Sequence, residues 1–291
     1  MPILRVMSEL GDFLKAKRAA LTPHDVGLSG GDRLRRVPGL RREEVAMLAD
    51  VGVDHYTRLE QGRTTGVSDA VLAAIGRALR LTDDEQAYLQ ALAKPPARPR
   101  FRSESRSTGL PGIDAATGAL LDSLTTAPAL VLGRRMDILA WNPLAAALFL
   151  DFARLPADQR NLVRLVFLDP HIRGLYAHWE AVAVDAVARL RMVAATYPHD
   201  KHLTALIGEL SVHDDDFRRW WSSHTVKATD QGRKVFDHPV TGPLELDWQA
   251  LRINARPDQT LVVYTAPLGS PADQALRFLR SWTSVSEPST A

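Results

Sequence analysis

The sequence predicts a multidomain protein, all-α in front and α+β behind: a five-helix domain followed by an antiparallel sheet covered by helices. Three observations carry this. Leu40 to Gly62, LRREEVAMLADVGVDHYTRLEQG, spells two short helices joined by a tight turn, the helix-turn-helix that lays its second helix in a DNA major groove. Beyond Ile113, strand-like runs open and close a stretch of helical periodicity, the order of an antiparallel sheet with helices massed on one face. Between them Lys94 to Gly112, KPPARPRFRSESRSTGLPG, is dense in proline, arginine and serine and has no period. It reads as a linker between domains at 1–93 and 113–291.

In the front domain, Ser8 to Leu21 carries Leu10, Phe13, Leu14 and Lys17 at helical spacing, and a polar, glycine-containing insertion runs from Thr22 to Gly39. Leu40, Val45, Leu48 and Ala49 then share one face of the motif's first helix, with Ala46 small enough to let a partner helix cross closely. Asp50 takes the turn, where a left-handed backbone is needed and Asp is tolerated better than most residues. Gly52 is the N-cap of the second helix, a role Ser or Thr fills better. Val53, Tyr56 and Leu59 are expected to face inward, leaving Asp54, His55, Thr57, Arg58, Gln61 and Arg63 as the outward reading surface. Ser68 caps a helix bearing Val71, Leu72, Ile75 and Leu79, and Thr82 with Glu85 forms a capping box for a fifth with Ala87, Tyr88 and Leu92.

The motif formed by Ala46, Ala49, Val51, Val53, Tyr56, Leu59, Glu60 and Gly62 resembles that of the xenobiotic-response-element (XRE) class of bacterial regulators, a lambda-repressor-like fold, over residues 8–93. Two positions depart from the family: Asp50 stands where Gly is usual and Gly52 where Ser is usual, which weakens the cap. The resemblance implies that Val53, Asp54, Thr57 and Arg58 contact DNA. An acidic Asp54 there either accepts from a cytosine amino group or orients an arginine.

Charge agrees with a nucleic-acid partner in front. Residues 1–107 hold 18 Lys plus Arg against 14 Asp plus Glu, whereas residues 108–291 hold 18 against 20. Arg33, Arg35, Arg36, Arg41 and Arg42 fall in ten residues without an acid, at the start of the motif's first helix, where phosphate contact is expected. The other reading of this cluster is a solvated loop. Arg98, Arg100, Arg102 and Arg106 of the linker are either an arm along the DNA backbone or part of a solvated tether. No apolar run approaches the roughly eighteen residues that span a bilayer. The start, Met-Pro-Ile, lacks a signal-peptide pattern and there is no cysteine, so a cytoplasmic location is expected.

In the rear domain the expected order is a helix at 114–124, strands at 129–132 and 137–141 around Gly133, and a helix from Leu144 opened by Asn142-Pro143. Helices follow at 158–168, 174–197, 200–211 and 214–223, then strands at 234–237, 244–253 and 260–266, and a last helix at 272–282. That order resembles a PAS-like sensor sheet. The segments Ala140-Trp141-Asn142-Pro143, Asn161-x-x-Arg164-x-x-Phe167-x-Asp169-Pro170, Tyr176-x-x-Trp179, Leu190-Arg191, Trp220-Trp221-x-x-His224 and His238-Pro239-x-x-Gly242 resemble the ligand-binding domain of MmyB-like regulators, which also carry an XRE motif. The resemblance implies a one-component regulator that holds a small apolar, fatty-acid-like molecule.

From the residues themselves, a sheet face lined by Leu132, Leu139, Trp141, Phe167, Trp179, Leu246, Trp248 and Val263 either encloses a ligand or is a filled core. Arg191 lies in a helix that is apolar nearly all round, so its charge needs a partner, either a protein carboxylate or the carboxylate of a ligand. His199, His202, His213, His224 and His238 lack a fixed ligand spacing, so no metal and no cofactor is expected. No phosphate loop is present, and no catalytic residue is assigned. The expected function is a transcriptional regulator that binds an operator as a homodimer and responds to a small apolar ligand. The alternatives are a lipid- or aldehyde-processing enzyme tethered to a helical module, which needs a nucleophile and base in the pocket, and a helical protein-interaction module. In the last case the arginines from Arg33 to Arg42 are dispensable for DNA affinity.

Overall fold

A computed structural model describes residues 2–28, 38–63, 66–94, 112–223, 226 and 229–285. The expected phosphate contacts Arg35 and Arg36, the linker residues 95–111 and the motif residue His224 lie outside them. The chain divides into two compact units. One draws on residues 1–100, 191–205 and 219–228, the other on 101–190, 206–218 and 229–291.

The first unit contains the five expected helices: α1 (Pro2–Ala20), α2 (Arg42–Leu48), α3 (Val53–Glu60), α4 (Asp69–Ala78) and α5 (Asp83–Ala93). Leu10, Phe13, Leu14, Val45, Tyr56, Leu59, Leu72, Ile75 and Tyr88 meet in one core, each at most 3% exposed. Burying such apolar area is the main term holding short helices that are marginal alone. Residues far along the chain complete the core, since Ala195 and Val226 belong to it and Met192 packs against it. By sequence these residues fall within the domain expected at 113–291. Ser68 and Thr82 cap as expected, accepting from the amides of Val71 and Glu85.

Helix ends here use the left-handed backbone that closes a helix with bonds back to its last carbonyls. Asp50 has φ 52°, and the following Val51 N–H reaches Ala46 O at 3.0 Å. Gly62 (φ 66°) does the same for α3, with Arg63 N–H bonded to Arg58 O at 2.8 Å. Gly11 matters for another reason. A Cβ there would lie 2.3 Å from the Glu60 carbonyl oxygen, so only glycine lets α1 and α3 approach so closely.

The second unit opens with α6 (Ala115–Ser123), then β1 (Ala129–Gly133), β2 (Ile138–Trp141) and α7 (Pro143–Leu148). Asn142 explains the Asn-Pro signal. Its side chain accepts from the amides of Ala129 and Ala145 and donates to the carbonyls of Leu124 and Ala127, filling all four of its hydrogen-bonding positions. Next come α8 (Leu162–Leu168), α9 (Pro170–Leu175), α10 (Trp179–Thr196), α11 (Lys201–His213) and α12 (Asp215–Ser222), the last three contributing residues to both units. The chain closes with β3 (Gln231–His238), β4 (Gly242–Arg252), β5 (Gln259–Thr265) and α13 (Pro271–Val285). The strands form one sheet, ordered β2-β1-β5-β4-β3, with every neighbouring pair antiparallel.

The expected single helix over 174–197 is two helices with a break. Asp169 caps α9, and Tyr176 then leaves helical geometry to form an antiparallel bridge with Phe236, while Ala177 N–H bonds Val235 O at 3.0 Å. The break gives the edge strand β3 a local partner, which blunts an open edge. The expected helix at 158–168 begins later, at Leu162, because Asn161 caps it and bridges Asp137.

Candidate functional site

On α3 the inner face holds Tyr56 and Leu59, both fully buried. Val53 departs from its expected inward place: at 43% exposure it lies on the outer face with Asp54 and Arg58. It is the first helical residue after Gly52, so no turn precedes it to cover its side chain. Thr57 is partly exposed beside them, and Gln61 and Arg63 are exposed past the helix end. His55 is the second departure. It is only partly exposed, and its Nε2 is buried without a hydrogen-bond partner among the described residues, so the ring turns partly inward. The Arg58 Nε–H donates to Asp54 O at 3.3 Å, which keeps the guanidinium along the helix surface.

Beneath this face lies a buried carboxylate that the motif pattern contains but does not explain. Glu60, 0% exposed, accepts from Arg18 Nε and Nη2, each at 3.0 Å, and from Arg42 Nε at 3.0 Å. Burial alone pushes the Glu60 carboxyl up, but the hydrogen bonds and charges of Arg18, then of Arg42, outweigh it and hold the group below the usual carboxylate range. One carboxylate therefore ties α3 to α1 and to the start of α2. Arg42 keeps 43% of its side chain exposed while held this way, so its guanidinium is fixed at the start of α2 instead of trailing in solvent. Arg41 precedes α2, its N–H bonded to Glu44 Oε2 at 2.6 Å. Arg18 was not singled out from sequence; the available signal was a glutamate directly after Leu59 on a buried helix face, a charge that requires a cation.

In the second unit the sheet's two faces divide the expected lining. Strand pairing puts Leu130 and Leu132 of β1, Trp141 of β2, Val262 and Tyr264 of β5, Leu244, Leu246 and Trp248 of β4, and Lys234 and Phe236 of β3 on one face. Helical residues cover it: Phe149 meets Phe236, Tyr264 and Tyr176 at ring distances of 5.7, 5.4 and 6.5 Å, and Phe152 meets Trp141 at 5.2 Å. Phe167 and Trp179 pack edge-to-face at 5.9 Å in the helical layer, and the Trp179 Nε1–H donates to Val166 O. Leu139 and Val263 are corrections to the single-face expectation. Both pack on the opposite face, with Leu121 of α6, Ala129, Val131 and Leu261. For Leu139 the cause is a register shift between Val131 and Leu132, which reverses the parity of the hairpin.

The remaining motif residues are mostly staples. His238 is 6% exposed; its Nδ1 accepts from the amides of Val240 and Thr241, so its Nε2–H donates to Ala147 O at 3.0 Å. Gly242 closes that turn at φ 74°. Asn161 holds Arg135 O and Asp137 Oδ1 with its amide.

Arg191 is 1% exposed and has a protein carboxylate: its Nη1 lies 3.4 Å from Glu9 Oε1 of α1. Its Nη2 donates to the Trp221 carbonyl, its guanidinium lies 4.4 Å from the Trp221 ring centre, and Tyr88 donates to the same Glu9 oxygen at 3.0 Å. These groups all belong to the first unit, and the carboxylate beside Arg191 is that of the protein's own Glu9. Among the described residues there is no group of three or more His, Cys, Asp or Glu side chains arranged to hold a metal ion. Among them, too, no helix is long and apolar enough to cross a membrane.

A helix-turn-helix whose second helix presents a polar outer face, joined in one chain to a helix-covered antiparallel sheet, defines a DNA-binding transcriptional regulator with a ligand-binding domain. The family model of the MmyB-like transcription regulator ligand binding domain matches residues 113–279, and that of a helix-turn-helix domain matches residues 9–89. The chain belongs to the MmyB-like transcription regulators. No curated protein matches it.

Proposed function

We propose that the protein is a cytoplasmic one-component regulator, not an enzyme, that binds its operator as a homodimer and changes its affinity when a small apolar, fatty-acid-like ligand occupies the sheet domain. In this reading residues 1–93 bind DNA, 94–112 link, and 113–291 sense. The exposed outer face of α3, formed by Val53, Asp54, Thr57 and Arg58, carries the reading. These side chains are free to meet base edges, while Glu60 fixes the helix beneath them and Arg42 stands ready for phosphate. A single recognition helix offers too few contacts for tight specific binding, which favours two copies on a two-fold operator. Ligand shifts affinity only through its preference for one of two arrangements.

The test is salt-dependent binding of the full chain to its own promoter region, with and without a lipid extract, comparing wild type with the Thr57→Ala plus Arg58→Ala variant. Specific binding with a steep salt slope, a loss of about tenfold or more in the variant, and a shift with extract are expected. Binding that ignores both substitutions leaves α3 without a reading role and favours the protein-interaction module.

A further inference from the structure

Two cations of the second unit stand by the helix-covered sheet face, and they are treated differently. Arg189 of α10 donates to the Thr229 carbonyl and lies 3.4 Å from Asp230. Lys234 of β3 is paired with Leu246 in the sheet, and its Nζ lies over two rings, 4.8 Å from the centre of Trp248 and 5.6 Å from that of Tyr176. Among the described residues nothing hydrogen-bonds to this ammonium and no carboxylate stands within 4.0 Å of it. The charged groups facing it are Asp185 and Arg189 of α10, of opposite sign. Tyr176 adds a second unmet need, a buried hydroxyl without a hydrogen-bond partner among the described residues.

An ammonium carries three donors, and aromatic faces attract its charge without accepting its hydrogen bonds. Placing such a group on an apolar sheet face is costly unless an acceptor arrives. Its immediate surroundings, Leu246, Trp248, Phe236 and the Tyr176 ring, are apolar and suit the body of a molecule that carries such an acceptor.

Resting on the reading of this domain as the sensor of an apolar ligand, we propose that Lys234 is the head-group anchor of that ligand, which is an organic acid whose carboxylate meets the ammonium and whose tail lies on the aromatic face. Burial, helped by Arg189 and opposed by Asp185, lowers the Lys234 ammonium to about 8. The lysine is thus still mostly charged at neutral pH. Binding of the acid weakens as pH rises above that value, by about tenfold per pH unit, because one proton is lost from the lysine.

The experiment is calorimetric titration of the full chain with dodecanoate and with dodecanol, for wild type, Lys234→Met and Lys234→Arg, together with the melting temperature of each free protein. Wild type is expected to take dodecanoate at least about tenfold more tightly than dodecanol. Lys234→Met loses that preference and melts no lower than wild type, since it removes a poorly solvated charge, and Lys234→Arg retains part of the preference. Equal dodecanoate affinity in wild type and Lys234→Met overturns the anchor while leaving the sensor reading standing, and so does equal affinity of wild type for acid and alcohol. If neither probe binds to a chain that still binds its promoter, the apolar-ligand reading itself falls and the anchor with it.

Discussion

Glu60 shows how one residue decides whether the DNA-reading face exists. It is fully buried and neutralised by Arg18 and Arg42, so replacing it with Gln leaves two guanidiniums facing a neutral amide. Glu60→Gln is expected to destabilise the first unit by roughly 3 kcal/mol at pH 7, measured by urea unfolding followed by circular dichroism. The pH dependence follows from the depressed folded-state pKa. The unfolded carboxyl titrates near 4.5, so the stabilisation is complete above that pH and disappears as pH falls through the lower folded value. The wild type should therefore lose more stability than the variant as pH falls below about 4.5. Equal losses would mean that Glu60 is not ionised in its buried site.

At the scale of elements, the turn between α2 and α3 carries a readable cost. Asp50 holds φ 52°, a region that penalises any side chain, and closes α2 through the Val51 to Ala46 bond. Asp50→Gly should raise stability by about 0.5 kcal/mol and leave promoter affinity unchanged, whereas a β-branched residue there should lower it. A loss of stability on introducing glycine would show that the Asp50 side chain does more than occupy the turn. The break between α9 and α10 is the opposite case: nothing in the periodicity of 170–196 announces it, because its cause is the Tyr176 bridge to Phe236, some sixty residues later.

At the scale of the whole molecule, each unit has its own core, which predicts unfolding in more than one step. Calorimetry of the full chain should show a calorimetric enthalpy different from the van't Hoff value. Glu60→Gln should lower only the transition of the first unit, and dodecanoate should raise only that of the second. A single transition moved equally by both would mean that the units unfold as one.

The sequence by itself determined the helix-turn-helix, the five front helices, their caps and the five strands, because these depend on local periodicity and on polar residues that bond within a few positions of themselves. Ser68, Thr82, Asn142 and Asp50 are legible for that reason. Tertiary structure decided the partners of buried charge and the parity of the strands. Arg191 announced that it needed a counterion, but Glu9 lies 182 residues earlier and no local pattern links them. Val263 and its neighbours in β5 are apolar on both faces, so alternation could not say which side each one takes, and the hairpin bulge moved Leu139 across. The same reasoning that sought a partner for Arg191 applies to Lys234, whose need became visible only when folding put its ammonium over Trp248 and Tyr176 with no carboxylate among the described residues in reach.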